Sequence, residues 1–363
     1  MSGKKQHFIP QSLLRGFAAQ TRGGHRLWVH HRDRGTFEAN VQDVAASRFF
    51  YSGPRAEGEP QTLDDQITAY ETRLADLLKS LKGAPEGQLT YGDKAREVVA
   101  HLAFRTKATR DLVGEAMLTT QRLKTWMTTP AVMLAYVGAD RNKPGDRFES
   151  FLEIMRADPR WAKTFGCVRP RQVRKRLFAE VRRDPMRFIG DMIEETRRET
   201  EFLLREHRAL AKEGHAEALS EDVISSSSMG KLDGLAWSVA DYDNLILPDT
   251  VVLASRDGSR FSGLSWVKPD EQRDVIMPLT RTRLLQGQRD GPKRYDPLAL
   301  RQAIMRGADA FVVSATRIEA FEPSLIGASN SEAFDEMIST LTSDFLTGPI
   351  RRRRNEAPSL DDR

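Results

Sequence analysis

Apolar residues change period three times along the chain, and each change marks a change of element. In "QHFIPQSLLRGF" (6–17), Leu13, Leu14 and Phe17 recur at helical spacing behind Pro10. Proline suits a first helical turn, where its missing N–H has no intrahelical partner to lose. "HRLWVHH" and "TFEANV" flank Asp33, Arg34 and Gly35 and predict a β-hairpin, and "SRFFYSG" (47–53) predicts a third strand. From residue 61 the period lengthens: Ile67, Tyr70, Leu74, Leu77, Leu78 and Leu81 share one helical face behind a capping-box-like Thr62 and Asp65. One long helix is predicted from Thr90 and Asp93 to the stop at Pro130. Shorter helices follow over 130–137 and 147–157, then a basic helix over 170–183 and a long one from Met186. "ISSSSMG" (224–230) reads as a linker. Beyond it, short apolar runs such as "LAWSVA", "NLILPDTVVLAS", "DVIMPL", "RLLQG" and "AFVVSA" predict strands, with helices over 297–306 and 331–346.

The fold class this implies is α+β. A small N-terminal unit of helix plus β-hairpin is expected over 1–60, a region of long helices over 61–223 and a C-terminal mixed β-sheet with helices over 224–347. The polar, basic stretch 348–363 is expected to be a disordered tail. A chain of 363 residues is long enough for one large or two ordinary domains with a real core. No run reaches the roughly 18 apolar residues of a membrane span, so no membrane partner is expected. "MSGKKQHF" lacks the apolar stretch of a secretory signal. The single cysteine, Cys167, excludes an intramolecular disulfide and a thiolate zinc framework, and fits a cytoplasmic location.

The net charge is +5, and its distribution says more than its size. Positive charge gathers in "RPRQVRKRLFAEVRR" (169–183) and "RRRR" (351–354), a pattern that attracts polyanions and nucleic acid above all. Within 170–183, Val173, Leu177 and Val181 form an apolar stripe. Arg171, Lys175 and Arg182 lie roughly opposite, with Arg174, Arg176 and Arg183 completing the basic face, so these six are the candidate nucleic-acid contacts.

His7, Pro10, Leu14, Arg15 and Phe17, followed by "RLWVHHRDRG" and "RFFYS", resemble the start of a large, mostly bacterial family of domains of unknown function, number 4238. The similarity continues through "LAFRT" (102–106), "LILPDTVVLAS" (245–255) and "IMPLTRTRLL" (276–285), in the same order. The resemblance brings no reaction with it; by association it implies an accessory or defence role in bacteria.

Two residues are catalytic candidates. His7-x-x-Pro10 also occurs in histidine-metal nucleases, in which the imidazole activates water and a divalent metal stabilises charge on phosphate. Mg²⁺ or Mn²⁺ would serve that chemistry, with Zn²⁺ the weaker fit, and His7, His25 and His31 are the candidate ligands. Arg105 is the second. It interrupts the apolar stripe of the long helix, and a buried guanidinium must be paired, by an acidic side chain or a bound anion; Asp249, in "LPD", is one candidate for the former. Arg96 and His101 have the spacing of an arginine–histidine pair acting on phosphate, but five positions rotate by about 140° and direct them apart. Two readings follow. The first is a nucleic-acid-associated protein, extended to a metal-dependent phosphodiesterase or nuclease using His7. The second is a non-catalytic protein-interaction or scaffold module in which the His7–Pro10 motif is a structural clasp.

Overall fold

The computed structural model describes residues 5–48, 50–51, 63–90, 92–140, 145–157, 170–221 and 229–347. The linker expected over 224–230 lies mostly outside them, and the tail expected over 348–363 entirely so. The architecture is α+β, as the apolar periods imply, but its division is not by thirds of the chain. One compact unit joins the described residues up to Glu115 with Arg208–Asp335; the other comprises Ala116–His207 and the described residues from Glu336.

Three antiparallel sheets organise the first unit. Strands β1 (Lys5–His7) and β5 (Ala46–Arg48) form a two-stranded pair. The expected hairpin is β3 (Gly24–His31) and β4 (Gly35–Asn40). It does not stand alone: β3 also pairs with β2 (Ala19–Thr21) and with a strand almost three hundred residues later, β13 (Phe311–Ser314), which in turn pairs with β8 (Leu247–Pro248). That pairing is why the boundary expected at residue 60 is absent. The third sheet has six strands in the order β10 (Phe261–Gly263), β9 (Leu253–Ser255), β11 (Asp274–Thr280), β12 (Arg283–Gln288), β7 (Ala236–Asp241) and β6 (Gly87–Gln88). Pro278 sits in β11 without disrupting it, because pairing with β9 stops at Ile276 and the register with β12 shifts between Pro278 and Thr280. Strand prolines are tolerated at such irregularities.

The N-terminal motif is packed, not frayed. Pro10 precedes the short helix α1 (Gln11–Leu14), and Ile9, Leu13, Leu14 and Phe17 are fully buried. Gly16 lies against β11 so closely that a Cβ would come 2.9 Å from the Leu279 carbonyl oxygen, and its own carbonyl accepts the Arg281 N–H at 3.0 Å. Two of the family-like stretches therefore meet backbone to backbone.

The helices follow the apolar periods with one exception. Helix α2 (Leu63–Gly83) appears as expected, but the single helix predicted from residue 90 is two, α3 (Gly92–Arg105) and α4 (Lys107–Met127). Thr106 causes the break: its hydroxyl accepts the Thr109 N–H at 3.2 Å, capping the second helix in the manner usual for threonine. In the second unit, α5 (Pro130–Tyr136), α6 (Asp146–Ala157) and α7 (Pro170–Arg183) enclose a small core around Phe148, Leu152, Leu177, Phe178 and Val181. Two long helices, α8 (Met186–Glu221) and α10 (Ala328–Thr347), and the shorter α9 (Pro297–Gly307) complete the α-helices described.

Buried histidines make the fold acid-sensitive. His30 hydrogen-bonds the hydroxyls of Thr36 at 3.1 Å and Ser314 at 2.9 Å, tying β3 to β13. Burial first, and the Arg317 charge second, push its pKa down to about 4. Between that value and about 6.5 the unfolded chain binds a proton that the folded chain refuses, so stability present above about pH 6.5 is lost as the pH falls toward 4. Burial shifts His7, His31 and His215 in the same direction. Urea midpoints are expected to fall steadily across that window in the wild type and less steeply in His30→Gln; equal slopes would remove His30 from this account.

Candidate functional site

Three of the stretches that carry the family resemblance, those of His7, Tyr51 and Arg105, meet at one guanidinium. Arg105, the last residue of α3, is only 1% exposed. Its Nε donates to the Tyr51 hydroxyl at 2.9 Å and its Nη2 to the His7 carbonyl oxygen at 2.7 Å, while Nη2 also forms an ion pair with Glu71 of α2. Tyr51 is itself held by a hydrogen bond from its backbone N–H to the buried Gln6 side chain at 2.7 Å, and its hydroxyl approaches the Arg105 carbonyl oxygen at 3.3 Å. Burial pushes the Tyr51 phenol up to about 12, so it stays a neutral donor. One charged group thus fastens β1, the segment at Tyr51, α2 and the end of α3.

The partner of Arg105 is Glu71, not Asp249. Asp249 is fully committed elsewhere, accepting the backbone N–H groups of Asp309 at 2.7 Å, Ala310 at 2.8 Å and Phe311 at 3.3 Å. Burial and the neighbouring Asp309 raise its pKa, and those three N–H groups oppose the rise. The residue that closes the "LPDT" turn, Val251, sits at φ +61°, a left-handed conformation costly for a β-branched residue.

His7 contributes its backbone to this cluster more than its side chain. The half-buried imidazole meets the Gln11 side-chain amide at 3.0 Å through Nε2, and burial lowers its pKa so that it is neutral near pH 7. A neutral imidazole can accept a proton, but Arg105 beside it is enclosed and already engaged.

The structure does not assemble the other histidine sites. Among the described residues no group of three or more His, Cys, Asp or Glu side chains gathers to hold a metal ion. His7 lies on β1 and His25 and His31 on β3; His31 stacks on Phe311 at 6.2 Å and accepts the Asp33 N–H through Nδ1 at 3.0 Å. The expected His7–His25–His31 metal set is therefore not formed, and these residues do not fit a Mg²⁺, Mn²⁺ or Zn²⁺ centre. Arg96 and His101 diverge, as helical geometry requires: Arg96 pairs with Asp93 and Asp233, while His101 is buried with its ring 4.5 Å from that of Tyr70.

Within the second unit, α7 buries Leu177, Phe178 and Val181 and turns its charge outward. The basic residues are not equivalent. Arg174 pairs with Glu149 at 2.5 Å and Arg176 with Glu180 at 3.2 Å. Lys175, Arg182 and Arg183 are exposed, and among the described residues no carboxylate pairs with them; Arg182 lies over the Phe178 ring at 5.8 Å. The Arg171 side chain lies outside the described residues.

Sequence reasoning missed Glu71, Tyr51 and Gln6. Glu71 had a readable signal: with Ile67, Leu74 and Leu78 it occupies the apolar line of α2, as Arg105 does on α3. A lone acid on one such line and a lone base on another make a complementary pair.

These features define an α+β protein whose N-terminal motif is locked by a buried arginine. The chain belongs to the family described as protein of unknown function DUF4238, whose model matches residues 5–297. No curated protein and no solved structure gives a significant match. No helix among the described residues is long and apolar enough to cross a membrane.

Proposed function

We propose that this protein associates with nucleic acid through the outward face of α7, and that the His7–Pro10 segment is a clasp rather than a catalytic element. The first half rests on Lys175, Arg182 and Arg183, exposed cations with no internal counter-charge among the described residues. Lys175 and Arg182 lie seven positions apart, two helical turns or about 10 Å along the axis, so both project from one side and can reach separate phosphates of one backbone. The second half rests on Arg105, which holds the backbone of His7, and on the imidazole having no metal-ligating set around it among the described residues. An accessory or defence role in bacteria rests on the family resemblance and is compatible with such binding.

Incubation of supercoiled plasmid and of RNA with Mg²⁺ or Mn²⁺ separates the clasp from the nuclease reading. Wild type and His7→Ala are expected to behave identically. Metal-dependent cleavage that disappears in a folded His7→Ala protein would restore the imidazole as a catalytic base.

A further inference from the structure

We propose that a cavity in the first unit binds a small organic cation, an aliphatic amine held by carboxylates against an aromatic corner. The cavity measures about 320 Å³, at the small end of the range for ligand sites. Its walls come from the first turns of α4, the segment 263–266, the turn at Asp309 and the start of α10. Trp266 and Phe334 stand there with ring centroids 5.8 Å apart and planes at 90°. Such a corner offers a π face to a positive charge, an attraction strongest for tryptophan and for groups shielded from water.

The charge of the lining agrees. Asp111, Glu115, Asp309 and Asp335 line the cavity against a single cation, Arg32. Arg32 is already occupied, donating to the Asp309 carbonyl oxygen at 3.2 Å and lying 3.5 Å from Asp33, and Lys107 pairs with Asp111. Among the described residues no basic side chain forms an ion pair with Glu115, Asp309 or Asp335. Asp309 is held above the usual carboxylate range, first by burial and then by Asp111, so a cation entering the cavity would relieve repulsion already present. A nucleotide or other phosphate would add to it, which separates this site from the basic face of α7.

The site is preformed. Asn330, buried at 6% exposure, accepts the Gly263 N–H at 2.9 Å and donates to the carbonyl oxygens of Gly307 at 3.2 Å and Ala308 at 3.1 Å. Asp249 fixes the backbone that carries Asp309, and Thr250 donates to the Gly307 carbonyl oxygen at 3.2 Å. The strained "LPDT" turn, which the clasp does not use, is thereby given a role as the frame of this cavity.

Calorimetric titration of the full chain with 1,5-diaminopentane tests the proposal, with 1,5-pentanediol as the uncharged isostere and MgCl₂ as the inorganic control. The diamine is expected to bind and the diol not to. Trp266→Ala is expected to weaken binding roughly tenfold, between the sizes of an exposed and a fully shielded cation–π contact. Asp309→Asn should weaken it at least as much, and Glu115→Gln, an exposed change that spares the fold, should weaken it measurably. Equal binding of the diol, binding of Mg²⁺ without the diamine, no diamine binding at millimolar concentration, or unchanged affinity in folded Glu115→Gln and Trp266→Ala proteins would each overturn it.

Discussion

Glu71→Ala is expected to destabilise the first unit by about 3 kcal/mol, the lower end for breaking a buried ion pair, because Glu71 is itself 44% exposed and partly screened. The loss arises from the guanidinium left behind. Arg105 cannot reach water from a site 1% exposed, and its hydrogen bonds to Tyr51 and His7 do not neutralise it. The melting temperature should fall by about 6–12 °C for a unit of this size. The double variant Glu71→Leu/Arg105→Met should recover much of that loss, since an apolar pair of similar volume removes the stranded charge along with its partner. Chemical denaturation of Glu71→Leu, Arg105→Met and the double variant measures the coupling. Additive losses would mean that Arg105 is not held by Glu71.

Charge reversal of Lys175, Arg182 and Arg183 has the second large expected effect. Each phosphate contact adds about 0.7 to the logarithmic salt slope on a single strand and about 0.9 on duplex DNA, so removing three should lower its magnitude by about 2–3. Affinity at low salt should drop at least tenfold. Stability should hardly change, because these side chains are exposed and among the described residues no ion pair involves them. Reversing Arg174 and Arg176 instead should disturb their pairs with Glu149 and Glu180 and affect binding less.

Much of the architecture was legible in the apolar periods, because those periods report which face is buried, and burial is decided locally. The hairpin at residues 24–40, helix α2 and the short C-terminal strands all follow from it. Two features did not. Thr106 breaks the helix while the apolar stripe continues on both sides of it, so only the hydroxyl three residues before Thr109 marks the new helix start. The pairing of β3 with β13 joins two apolar strands far apart in sequence, and alternation says which face is buried but not which strand lies alongside. At the candidate site the anomalies on α2 and α3 were each readable but their pairing was not: Asp249 and Glu71 are both acids near apolar runs, and only the fold decides which one reaches Arg105. Spacing likewise suggested a histidine cluster at residues 7, 25 and 31, which strand geometry then separated.

One measurement bears most directly on the account: fluorescence anisotropy of labelled DNA and RNA oligonucleotides across a salt series, with wild type, His7→Ala and the Lys175, Arg182 and Arg183 charge-reversal variant compared side by side. His7→Ala is expected to bind as the wild type does, while charge reversal loses both affinity and salt slope. Binding that survives charge reversal but is lost on removing the His7 imidazole would contradict it.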